Sequence, residues 1–227
     1  MSYFKQLLSI LKTEKKDDKI FIGNSQSVGS GRLYGGLLMA QALDALYQSA
    51  YQKNKLMYFL HSYHCYFIRP GIESKPVEYQ IINKRDGNFF LNRSLEAYQN
   101  EKLIFSMNAS FHQKEQTPEI FVKKSLELPP SLEKWQDLAL KFKDRIPKEA
   151  HRFFNQKWPF DIYPLEGDKM FSFKPEKPIQ GFWLQLIDEK DIQLKNIIEH
   201  QILFSYISDL MLLQTAGKRL DKCYPVF

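Results

Sequence analysis

Apolar positions along this chain change their period, and the changes mark its elements. Phe4, Leu7, Leu8 and Leu11 recur at helical spacing and predict a short opening helix. Lys19-Ile-Phe-Ile22 is a brief β-prone run closed by Gly23-Asn24, and Ser25 to Arg32 is a loop of small residues. After Gly35-Gly36, the residues Met39, Leu43, Leu46, Tyr47 and Ala50 share one face of a 3.6-residue repeat, which predicts a long helix. The period then drops to two. Leu56 to Arg69, Val77 to Asn83, Phe89 to Tyr98 and Leu103 to His112 read as strands. They are separated by Pro70-Gly71, by Lys84 to Asn88 with its Asp-Gly turn, and by Gln99-Asn-Glu101. In the last of these strands Leu103, Phe105, Met107, Ala109 and Phe111 alternate with Ile104, Ser106, Asn108, Ser110 and His112, so one face is apolar. A long helix followed by an antiparallel meander predicts an α+β layer arrangement, a sheet wrapped around the helix.

The second half is patterned less regularly. Gln113 to Pro130 is polar, ends in Pro-Pro and reads as a linker. Ser131 to Lys143 reads as a helix with Leu132, Trp135, Leu138 and Ala139 as its apolar set. Strands are expected around Asp161 to Pro164 and Gly181 to Ile187, and a final helix over Asn196 to Thr215.

Composition narrows the function classes. Hydrophobic residues make up 44% and aromatic residues 15% of 227, enough for a sizeable core. No stretch approaches the roughly 18 to 20 apolar residues of a membrane span. The N-terminus lacks a long apolar run with a small-residue cleavage site, and Cys65 and Cys223 give no disulfide framework, so a cytoplasmic protein is expected. The net charge of +6 would suit an anionic partner. The basic runs Lys12 to Lys16 and Lys141 to Arg145 are interleaved with acids, however, and read as solvated surface. A basic, aromatic-rich RNA-binding module finds no recognised signature, and no nucleic acid is expected as a partner.

Familiar chemistries fail one by one. Gly29-Ser-Gly31 begins like a dinucleotide loop, but Tyr34 stands where the third glycine belongs. Ser27 has Ser25 where a nucleophile elbow needs glycine, and there is no Walker A sequence. His61, His64 and Cys65 suggest a metal cluster at first sight. Strand parity puts His61, Tyr63 and Cys65 on one face and His64 on the other, so without a bulge they cannot meet at one ion. Cys65 reads as core, and His112, His151 and His200 as isolated surface or capping residues. No metal and no cofactor is expected.

The last helix carries one oddity. On a helical wheel Ile202, Leu203, Tyr206, Ile207, Leu210 and Leu213 fill an apolar arc, and Phe204, Met211 and Leu212 lie outside it. A helix apolar nearly all round is normally enclosed. Asp209 sits at the margin of that arc, where a carboxylate loses hydration. It is either a structural acceptor, bonded to backbone or to a cation, or a general base whose pKa burial has raised toward neutrality.

Two stretches of motif resemble a known family. Leu60-His-Ser-Tyr-His-Cys-Tyr-Phe-Ile-Arg-Pro-Gly71, then Arg85-Asp-Gly-Asn88 and Ser110-Phe111, together with Leu33-Tyr-Gly-Gly36 and Gln41-Ala42, resemble the first half of type II acyl-CoA thioesterases. His200-Gln201 and Tyr206-Ile-Ser-Asp-Leu210 resemble the helix that carries that family's catalytic aspartate. The resemblance implies two hotdogs in tandem, each an antiparallel sheet curled around a long helix: a first over residues 1–112, a linker with a short helix over 113–145, and a second over 146–227. It implies hydrolysis of fatty acyl-CoA to fatty acid and CoA, with Asp209 orienting and deprotonating the attacking water beside a Thr or Ser and a Gln. Those two partners belong to strands beyond the aspartate helix, so the resemblance also implies that the second copy is incomplete at Phe227. An apolar helix with little cover would favour association between copies, and a homo-oligomer is expected. Gly35 and Gly36 would either present backbone donors to the thioester oxygen or let helix and sheet approach closely. A non-catalytic remnant that binds acyl-CoA or a partner chain is the alternative.

Overall fold

The computed structural model describes residues 3–25, 31–51, 58–116, 133–146, 148, 151, 158–167, 169, 180–187 and 196–210. The chain divides into two compact units, one of residues 5–118 with 193–210, the other of residues 1–4, 119–192 and 211–227. The expected linker falls mostly outside the described residues, as do Leu132, Cys223 and the end of the last helix beyond Leu210.

The first unit is built on an antiparallel six-stranded sheet. Its strands are β1 (Thr13–Lys15), β2 (Ile20–Gly23), β3 (Tyr58–Phe67), β4 (Val77–Asp86), β5 (Phe90–Gln99) and β6 (Lys102–Gln113), in spatial order β1-β2-β4-β5-β6-β3. Helices α1 (Tyr3–Leu11) and α2 (Gly35–Tyr51) precede the long strands. Period-two patterning puts Phe21, Tyr79, Ala97 and Phe105 in one cross-strand row and Ile81, Leu95 and Met107 in the next. All are 2% exposed or less, and they close over α2, whose Leu37, Leu38, Leu43 and Leu46 are equally buried. Each large apolar side chain so enclosed contributes about 1.5 to 3 kcal/mol. This is the hotdog arrangement expected for the first copy.

Local features refine the sequence expectation, and some depart from it. The strand β4 runs on to Asp86, so the turn before β5 is shorter than Lys84 to Asn88. Asp86 pairs with the buried Arg93 guanidinium, and Tyr58 Oη donates to the carbonyls of Gly87 (3.2 Å) and Asn88 (2.9 Å). The Arg-Asp-Gly-Asn motif is therefore held as a hairpin end. Between β5 and β6, Asn100 and Glu101 both have positive φ, the two-residue geometry that follows the right-handed strand twist. In β3 a bulge between Leu60 and Ser62 leaves His61 as the extra residue. Parity flips there. Tyr63 and Cys65 face α2, whereas the His61 ring lies on the opposite face, 5.7 Å from Phe90 and 6.3 Å from His112. His61 and Cys65 thus do not share a face, contrary to the reading from parity alone. His112 is not isolated either, since its Nε2 lies 3.5 Å from Glu115. His151 caps the carbonyls of Lys143 and Ile146.

In the second unit, α3 (Trp135–Lys141) buries Trp135, Leu138 and Ala139. The hairpin of β7 (Phe160–Pro164) and β8 (Phe182–Leu186) buries Phe160 and Ile162. No helix among the described residues is long and apolar enough to cross a membrane.

Candidate functional site

The helix α4 (Ile197–Ile207) belongs to the first unit and packs along α2. It begins where Asn196 Oδ1 accepts from the backbone N–H of Ile198 and Glu199, a side-chain cap. It buries Ile202, Leu203, Ser205 and Tyr206, but Phe204 is 72% exposed and Ile197 is 49% exposed. Only one face of this apolar helix is covered. Three tyrosine hydroxyls join α4 to the rest of the unit. Tyr47 Oη bonds Gln201 Oε1, Tyr63 Oη lies 3.1 Å from Ser205 Oγ, and Tyr34 Oη donates to the Tyr206 carbonyl at 2.9 Å. Leu60, at the β3 bulge, completes the first contact. Its N–H donates to Tyr47 Oη and its carbonyl accepts from Gln201 Nε2. β3 is the edge strand of the sheet, and these outward-facing backbone groups are thereby satisfied.

Regular α-helix stops at Ile207, with Ser208 as the C-terminal cap, so Asp209 lies in the turn after the helix rather than on its wheel. That turn carries the carboxylate to the N-terminus of α2, where Oδ2 accepts from Gly36 N at 2.9 Å. The positive end of the helix dipole and an unsatisfied first-turn N–H both favour an anion there. Partial burial opposes the charge. It pushes the Asp209 pKa up to about 6 despite the Gly36 hydrogen bond, which pulls the other way. Tyr34 and Cys65 are within electrostatic reach, and their own pKa values are raised, first by burial and then, in part, by this carboxylate.

The two glycines make this approach possible. A Cβ on Gly35 would lie 2.6 Å from Asp209 Oδ2 and 2.8 Å from Phe67 Cε1, and one on Gly36 would overlap the Tyr206 carbonyl. Gly36 packs against the end of α4, and its N–H donates to Asp209; the sequence alone offered the thioester oxygen as acceptor and the sheet as packing partner. Sequence reading did not single out Tyr34, Tyr47, Tyr63, Gln201 or Ser205. The signal at Tyr34 was its place beside Gly35-Gly36 in the motif.

Among the described residues no three His, Cys, Asp or Glu side chains converge on a possible metal position. A cleft of about 490 Å³ lies over the outer face of β2, β4 and β5, lined among others by Ile22, Glu78 and Tyr98. Another of about 310 Å³ lies between α1, α2 and the start of α4. Asp209 lines neither.

A protein-family profile described as "Acyl-CoA thioesterase N-terminal domain" matches residues 24–112. Over 219 residues the chain is 31% identical to human acyl-coenzyme A thioesterase 8, covering 92% of this chain and 66% of that protein. Over 215 residues it is 30% identical to acyl-CoA thioesterase 2 of Haemophilus influenzae, covering 92% of this chain and 71% of the relative. Among solved structures, the tesB protein of Mycobacterium avium subsp. paratuberculosis aligns with a TM-score of 0.68 at 20% identity, over 96% of this chain and 74% of that one. An acyl-CoA thioesterase II, TesB2, from Mycobacterium marinum aligns with a TM-score of 0.65 at 24% identity, over 93% and 69%. The structural likeness runs through both halves of the chain and supports the double hotdog.

Proposed function

This chain belongs to the acyl-CoA thioesterase family, and from that premise we propose that it hydrolyses fatty acyl-CoA thioesters with Asp209 as general base. The observation that carries the reading is the Asp209 carboxylate, half-buried and with its proton affinity raised to a pKa of about 6, at the first turn of α2. A base of that strength is deprotonated at neutral pH yet accepts a proton from water more readily than an exposed carboxylate. In the proposed step Asp209 takes one proton from water as the oxygen attacks the thioester carbonyl. Collapse of the tetrahedral oxyanion expels the CoA thiolate, which receives that proton. The products are fatty acid and CoA. Residues 1–112 form the first hotdog in this reading, 113–145 the linker and 146–227 the second.

One observation favours a second reading. The carboxylate already accepts a hydrogen bond from Gly36, as a helix cap would, which fits a protein that binds acyl-CoA without turning it over. Release of CoA from palmitoyl-CoA, by the intact chain and by Asp209→Asn, separates the two. Turnover lost on substitution supports the base. Turnover equal in both proteins removes it, and tight binding with no turnover in either supports the second reading.

A further inference from the structure

We infer that Tyr34 is the positioning residue that sets the Asp209 carboxylate against α2, its hydroxyl holding the terminal turn of α4 by the Tyr206 carbonyl. The inference deepens the reading of Asp209 as base and adds a group that acts only through it.

The last turn of α4 departs from helical bonding. In a continuing helix the N–H of residue 210 would bond the carbonyl of Tyr206. Here Leu210 N donates instead to the Ile207 carbonyl at 2.9 Å, the tighter pattern of a closing turn. The Tyr206 carbonyl is left without its helical donor, and Tyr34 Oη supplies one at 2.9 Å. The two rings also meet edge to face, 5.1 Å apart at 75°. Tyr34 and Gly36, two residues apart, therefore grip the same terminus at two points, one by the Tyr206 carbonyl and the other by the Asp209 carboxylate. Gly36 has no Cβ to hold that carbonyl away. The other two tyrosine contacts reach α4 at Gln201 and Ser205, further from the carboxylate along the chain. They hold the helix, whereas Tyr34 fixes its turn. Among the described residues, the titratable side chains that feel the Asp209 charge are Tyr34, just before α2, and Cys65 on β3. Both are neutral at and below neutral pH, so the setting of Asp209 depends on where the turn sits.

The test compares the full chain with Tyr34→Phe and Tyr47→Phe. Phenylalanine keeps each ring and deletes one hydroxyl. The carboxyl resonance of Asp209 is titrated by carbon-13 NMR, and melting temperature and palmitoyl-CoA turnover are measured alongside. Tyr34→Phe is expected to lower the Asp209 midpoint by about one unit, as the turn loosens and water reaches the carboxylate. It is also expected to lower kcat about tenfold while KM changes by about twofold or less. Tyr47→Phe is expected to lower the melting temperature and leave the midpoint and kcat in place. An Asp209 midpoint unmoved in Tyr34→Phe, or moved as far in Tyr47→Phe, overturns the inference. Failure of the base reading shows separately, as Asp209→Asn hydrolysing at the parent rate, and the titration decides the role of Tyr34 in either case.

Discussion

Two half-buried carboxylates of the first unit, Asp44 on α2 and Asp209 at its N-terminus, are provided for very differently. Asp44 Oδ2 accepts from Thr13 N, Thr13 Oγ1 and Gln48 Nε2, at 2.7, 2.7 and 2.8 Å. Asp209 Oδ2 accepts from Gly36 N alone among the described residues. Burial raises the pKa of both, with three donors and Lys12 opposing the rise at Asp44 and one donor opposing it at Asp209. Three donors converging on one oxygen of Asp44 tie α2 to β1. A carboxylate that is desolvated yet sparsely bonded keeps lone pairs for water. Burial alone does not mark a functional acid; unfilled acceptor capacity in a dry place does.

Substitutions can break this comparison from either side. The largest effect is expected from Asp209→Asn, which keeps the acceptor for Gly36 and removes the base. CoA release should fall by about 10² to 10⁴, with palmitoyl-CoA affinity retained. Asp44→Ala should leave turnover intact at permissive temperature but destabilise the fold by about 2 to 4 kcal/mol in urea titration, because three donors lose their acceptor. Gly36→Ala should cost about 1 to 3 kcal/mol and also reduce turnover, since the new methyl group meets the Tyr206 carbonyl and parts α4 from α2. The smallest effect is electrostatic. Folded Asp209 keeps its proton to a pKa of about 6 while the unfolded carboxyl releases it near 3.8, so the folded state binds more protons between those values. Stability therefore falls as pH rises through that window, by about 1 to 2 kcal/mol once solvent screening of a partly exposed group is allowed for. Asp209→Asn should melt higher than the parent at pH 7 and lose that advantage at pH 4.

Much of this was legible in the sequence because it is periodic. Phe105, Met107 and their neighbours announced a one-faced sheet, and Met39, Leu43 and Leu46 the helix it wraps. What stayed hidden depends on register or on distance in space. A bulge moves His61 to the other face without altering any local preference, and no spacing rule detects one extra residue in a pair of strands. The end of α4 was misplaced because Ser208 to Leu210 remain compatible with a helix. It is Tyr34, more than 170 positions away in the chain, that supplies the terminal acceptor with a donor. Asp209 itself was visible as a polar residue in an apolar run, but Gly36 as its partner required the fold.

The most direct measurement is the pH dependence of kcat/KM for palmitoyl-CoA, taken on the parent chain and on Asp209→Asn. The account predicts an acid limb with a midpoint at about 6 in the parent, matching the elevated Asp209 carboxyl, and its disappearance together with most of the activity in the variant. An acid limb near pH 4, or a variant with the parent's rate and profile, would contradict it.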